Sequence, residues 1–145
     1  FSKGNAKDLL GLRHMIDAGV FMLILQQGLS DEDRFELEVQ NDRYSSLVLA
    51  EEPDVDAIAE ADMTFHKMLA AATHNELVRV FHDYVADLTA ESRLRVVKLC
   101  REEGNMQYLV DVHRRTLDLV ERRSPYSLED TIDFSYFYWK STYKL

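Results

Sequence analysis

Asp62-Met63-Thr64-Phe65-His66 is the stretch from which the rest of the chain is read. On a helix, residues four apart lie one above the other. The Asp62 carboxylate and the His66 imidazole therefore share a face. Ile58, Phe65, Met68, Leu69 and Ala72 supply the apolar stripe of a core-facing helix from Val55 to about Ala72. The polar pair lies on or beside that stripe, where an unpaired charge is costly. Another side chain or a divalent metal has to satisfy it. His113 lies far along the chain, beside Leu109, Val112 and Leu117 on a second apolar face. Asp62, His66 and His113 make an O,N,N donor set of the kind that suits Zn²⁺, Ni²⁺, Mn²⁺ or Fe²⁺. The D-x3-H spacing is common in ordinary helices, and a lone core His is more often a hydrogen-bonded residue than a ligand.

Outward from this stretch the chain reads as all-α, an antiparallel bundle of about six helices enclosing a ligand cavity. The first helix is expected from Lys7 to Gln27, apolar on more than one face and so central, with Gly28 as its stop. Arg13 lies inside it. Either it snorkels to solvent or pairs with a carboxylate such as Asp17 four residues on, or it reaches a cavity and holds an anion. The second helix is expected to start at Ser30 and reach Leu47 or Leu49. Its Phe35, Leu37 and Val39 alternate with acidic residues, but the Ser30/Asp33 cap favours helix. Asn75 caps a fourth helix with the cleanest stripe of the chain: Leu77, Val80, Phe81, Tyr84, Val85 and Leu88. His82 falls off that stripe and is expected to be exposed, as is His74 in the preceding turn. Gly104 should end this helix, Asn105 cap a fifth, and Ser124-Pro125 open a sixth that runs to Tyr143. The last helix carries Phe134, Tyr136, Phe137, Tyr138, Trp139 and Tyr143. A core seal, a cavity wall and a subunit interface would each use such residues.

Composition narrows the function. The 145 residues suggest one domain, with 46% apolar and 30% charged residues as in ordinary globular proteins. No apolar run approaches the roughly 20 residues of a membrane span. The single Cys100 excludes an internal disulfide and fits a reducing, cytoplasmic compartment. A net charge of −9, with no long basic run, argues against direct contact with nucleic acid. The chain opens at Phe1 with no signal-peptide pattern, so a fragment of a longer protein is expected.

Asp62-Met63-Thr64-Phe65-His66-Lys67-Met68-Leu69 through Asn75 resembles the D-x-x-F-H-x-x-L…N pattern of the FCD domain. That domain is the C-terminal effector-binding domain of FadR-type GntR transcription regulators. His113-Arg114-Arg115-Thr116-Leu117 resembles its H-x-x-I-L segment, and Gly28 to Asp33 resembles the start of its second helix. Asp8 to Arg13 followed by Ile16-Asp17 resembles its first-helix pattern, with Gly11 where Glu is common and Asp17 in place of Glu. The resemblance spans nearly the whole chain. It implies that Asp62, His66 and His113 ligate a divalent transition metal (Zn, Ni or Mn) in an internal cavity, and that Arg13 faces the effector. The family carries a further His at the place of Ser135, whereas no His follows His113 here. The family's Gly-Asp before its last helix is replaced by Ser124-Pro125. Three readings stay open at this position. Water or an effector oxygen fills it; Ser135, Tyr136 or Asp133 substitutes; or the metal is lost and Asp62 pairs with His66 or Arg13.

The function expected is a ligand-sensing domain of a bacterial regulator, not an enzyme. It would bind a small carboxylate near Arg13, Ser135 and Tyr136, form a homodimer, and reach DNA only through a winged helix-turn-helix outside this chain. The alternatives are a metal-dependent hydrolase or lyase of all-α fold and a metal-free dimerisation module. The enzyme would need a general base near the metal; Glu60 and Asp111 are close in sequence but expected to face solvent.

Overall fold

A computed structural model describes residues 3–145. Among these residues seven α-helices follow one another with no strand: α1 (Lys3–Gln27), α2 (Asp31–Val48), α3 (Val55–Ala71), α4 (Glu76–Glu102), α5 (Gln107–Val120), α6 (Leu128–Ser135) and α7 (Phe137–Tyr143). Short polar side chains start four of them by accepting an otherwise orphaned backbone N–H. Ser30 accepts from Asp33, Asp54 from Ala57, Asn75 from Val78 and Ser127 from Asp130. Gly28 and Gly104 stop α1 and α4 in the left-handed region, at φ 80° and 67°. A side chain there would be strained.

α3 packs on both α2 and α4, α2 also on α5, α4 on α7, and α1 on α4 and α6. Two apolar clusters fill the interior. One gathers Val20, Phe21, Ile24, Phe65, Leu117, Tyr136 and Trp139; the other gathers Tyr44, Ile58, Val97, Leu109 and Tyr138. α1 takes the central place its composition suggests, although Met15 and Met22 face outward.

Three expectations are corrected. First, the aromatic C-terminal segment is not one helix. Ser124 caps nothing helical; its Oγ accepts from the Tyr126 N–H in a turn, and α6 starts after Ser127, with Glu129 and Asp130 in its first turn. The helix breaks at Tyr136, where Tyr136 and Trp139 go to one core cluster and Tyr138 to the other. Second, Asn105 does not cap α5. Its side-chain amide donates to the Tyr138 hydroxyl at 3.0 Å, and α5 begins two residues later without a side-chain cap. Third, α4 is turned over. Of its apolar stripe only Val85 is buried, while Leu77 and Tyr84 are 82% and 62% exposed. The buried face carries His82, Thr89, Ser92 and Arg93, and His82, expected at the surface, is only 3% exposed. In α2, Leu37 is buried but Phe35 and Val39 face solvent.

The caps make a separable prediction. Ser127→Ala should lower stability by about 1 kcal/mol through loss of an N-cap. Ser124→Ala should change it far less. Urea unfolding of the two variants checks the order, and the reverse order would contradict this start for α6.

Candidate functional site

Asp62 and His66 project from α3 one turn apart, as their spacing requires. His113 reaches them from α5. Its Nε2 lies 2.7 Å from Asp62 Oδ1, and His66 Nε2 lies 3.3 Å from the same oxygen. One donor atom from each residue falls within 4.8 Å of the others, a grouping able to hold a metal ion. α4 adds Arg93, whose guanidinium donates to Asp62 Oδ2 at 2.8 Å and to Thr89 Oγ1 at 3.1 Å. Asp62 is thus met on one oxygen by imidazole and on the other by guanidinium.

The His113 ring is held by stacking. Tyr44 lies flat against one side at 3.7 Å between centroids, and Phe65 stacks on it at 4.3 Å. Its Nδ1 has no partner. No acceptor on Nδ1 orients the ring; stacking on Tyr44 and Phe65 does.

Burial favours a neutral Asp62, but the Arg93 charge, with help from the two histidines, holds its carboxyl well below the usual range. Burial pulls His66 down to about 4, with Asp62 opposing only in part, and lowers His113 as well. Both imidazoles are neutral at neutral pH, the form that ligates metals. An aspartate oxygen and two neutral imidazole nitrogens fit a borderline transition ion with coordination positions left over. Arg93, sharing the same carboxylate, is the feature that weighs against it.

On the α1 side, Arg13 Nε lies 3.4 Å from Asp17 Oδ2, and the Tyr136 hydroxyl donates to that same oxygen at 2.8 Å. The Arg13 guanidinium carbon lies 5.0 Å from the Tyr136 ring centroid and 5.5 Å from that of Trp139. Arg13 neighbours Asp17 and also lines a pocket.

That pocket lies at the seam of the two clusters. Arg13, Asp62, His66, Arg93, His113 and Ser135 line it, with Tyr44 and Trp139 among its aromatic walls. The free space is about 40 Å³, enough for an ion or about three waters. Of the residues singled out from sequence, Arg13, Asp62, His66, His113 and Ser135 come together here. Tyr136 does not line the pocket; its hydroxyl is spent on Asp17 behind Arg13. Ser135 donates to the Ile132 carbonyl, and Asp133 is exposed. Sequence reasoning passed over Arg93 and the stacking role of Tyr44. A basic residue followed one turn later by an apolar run, as Arg93 is by Val96 and Val97, was the one available hint.

A family model for the FCD domain matches residues 8–133. The chain belongs to the FCD family. FCD domains are the C-terminal effector-binding domains of GntR-family regulators, regulatory rather than catalytic. Comparison with curated proteins and with solved structures finds no match. Glu60 and Asp111 are exposed in this FCD domain, as expected. No helix among the described residues is long and apolar enough to cross a membrane.

The buried histidines set a pH dependence. His66 titrates near 6.5 when unfolded and near 4 when folded. Between those values the unfolded chain binds more protons, so stability rises with pH there and falls as pH drops. Metal-free protein, kept in chelator, should lose stability steadily from pH about 6.5 to about 4. Further loss follows at lower pH as Asp62 and Asp17, both depressed when folded, take up protons. Urea midpoints across this range check it; a flat profile would contradict buried neutral imidazoles.

Proposed function

We propose that this FCD domain senses a small carboxylate in the cytoplasm and sets the DNA affinity of a homodimeric GntR-type regulator. The observation that carries the reading is the convergence of Arg13, Asp62, His66 and His113 from α1, α3 and α5 on one pocket. Asp62, His66 and His113 would hold a divalent ion, and that ion would supply a Lewis-acidic charge with open positions. Arg13 presents a planar fork of donors suited to a carboxylate. Ser135 stands at the pocket wall, where its oxygen can accept from a ligand hydroxyl.

The route to DNA runs through Arg13. The same side chain faces the pocket and stacks on Tyr136 and Trp139 at the α6–α7 joint. An anion that draws Arg13 away from Asp17 shifts how α1 sits against that joint. The response requires different affinities for the two arrangements. DNA contact belongs to a winged helix-turn-helix outside this chain, consistent with the net charge of −9.

The outward stripe of α4 supports a dimer. Leu77, Val80, Phe81, Tyr84 and Leu88 recur every three or four residues and are all exposed. Contiguous apolar surface of this kind marks an association site. A second copy can present the same stripe in return across a two-fold axis.

Two experiments test this reading. Purified protein should carry stoichiometric transition metal, and a strong chelator should lower the melting temperature by about 5–10 °C. His113→Ala should abolish both effects. No metal after supplementation with zinc, nickel and manganese, together with a chelator-insensitive melt, would remove the ion from the mechanism. Leu77→Glu combined with Tyr84→Lys should convert a dimer to a monomer in analytical ultracentrifugation while leaving helicity unchanged. A wild-type monomer would defeat the dimer.

A further inference from the structure

The inference rests on the carboxylate reading above and assigns which residues would select the ligand. Trp139 is 1% exposed, and its indole Nε1 has no acceptor. Arg13 Nε makes no hydrogen bond either; the nearest oxygen of Asp17 is 3.4 Å away and already accepts from Tyr136. An orphaned buried donor costs about 1–3 kcal/mol, and folded proteins keep few of them. Here two belong to adjacent residues of one pocket.

No side chain of the pocket hydrogen-bonds to either of them. Asp62, the carboxylate that lines it, is engaged on Oδ1 by His113 and on Oδ2 by Arg93. The Ser135 hydroxyl donates to Ile132, and neither orphan donates to its oxygen. The lining also includes Val96, Val97, Leu109 and Val112, with Tyr44 and Tyr108. The two unpaired groups at the Arg13 end, Arg13 Nε and Trp139 Nε1, are both donors. A ligand that completes them must bring acceptors. A carboxylate does so; an ammonium group adds donors and a like charge beside Arg13.

We propose that Trp139 Nε1 and the Arg13 guanidinium form a paired carboxylate subsite, with Trp139 as the specificity-determining residue. It admits oxyanion groups and rejects amino groups at that end. The small free volume restricts the ligand to a short-chain acid.

Trp139 is the only tryptophan of the chain, so ¹⁵N-indole labelling of wild-type protein yields a single Nε1–H resonance. Acetate, lactate, oxalate and malonate are titrated into metal-loaded and metal-free protein, with ethylamine and glycinamide as cationic controls. Calorimetry on the same samples measures affinity. The expected result is a downfield shift of the indole proton that saturates with the calorimetric affinity for at least one acid and is absent with the amines. Trp139→Phe should then weaken that acid about ten- to a hundredfold. If an acid binds by calorimetry while the indole resonance stays in place, the subsite is wrong and the carboxylate reading stands. If the amines shift the resonance as the acids do, the selectivity is wrong. If no acid binds in either state, the carboxylate reading falls and the subsite with it. The wild-type resonance decides these outcomes even if Trp139→Phe does not fold.

Discussion

Asp62 is an anion inside a helical bundle, and a buried anion is tolerated only where donors or cations meet it. Its two oxygens bring together three helices: α3, which carries it, α5 through His113 and α4 through Arg93. Removing one partner of such a buried pair typically costs about 3–5 kcal/mol, a large share of a domain's net stability. The orientation of α4 follows from this. For Arg93 to reach Asp62, the face that also carries His82, Thr89 and Ser92 must turn inward. The apolar stripe on the opposite side is then left to solvent or to a partner.

A second buried pair repeats the device on the other side of the pocket. Arg13 and Asp17 lie one turn apart on α1, and the Tyr136 hydroxyl joins them from the α6–α7 joint. The two arginines, Arg13 and Arg93, are balanced by two aspartates, Asp17 and Asp62. The walls are pre-arranged by stacking, by Tyr44 and Phe65 on His113 and by Tyr136 and Trp139 around Arg13. Stacking fixes ring orientation without consuming the nitrogens or the guanidinium protons. It leaves them available to a ligand.

Most helix limits were legible in the chain because caps and stops act locally. Ser30, Asn75, Gly28 and Gly104 do what their chemistry permits wherever the rest of the protein goes. The split at Tyr136 was not legible, because Tyr138 serves one core cluster while Tyr136 and Trp139, on either side of it, serve the other. Nor was the start of α6, where Ser124 and Ser127 competed and the acidic turn after Ser127 decided.

The candidate site divides along the same line. Asp62 and His66 are neighbours by helical geometry alone, so their spacing determined that they would face one another. The residue types of α1 and α5 marked Arg13 and His113 as polar groups on apolar faces. Which of these meet, and that Arg93 joins them from 31 residues beyond Asp62, was decided by packing between helices. Periodicity defines a stripe on a helix but carries no information on which neighbour that stripe faces. On α4 the buried charge outweighed the apolar stripe, because an unmatched ion inside costs more than exposed apolar side chains outside.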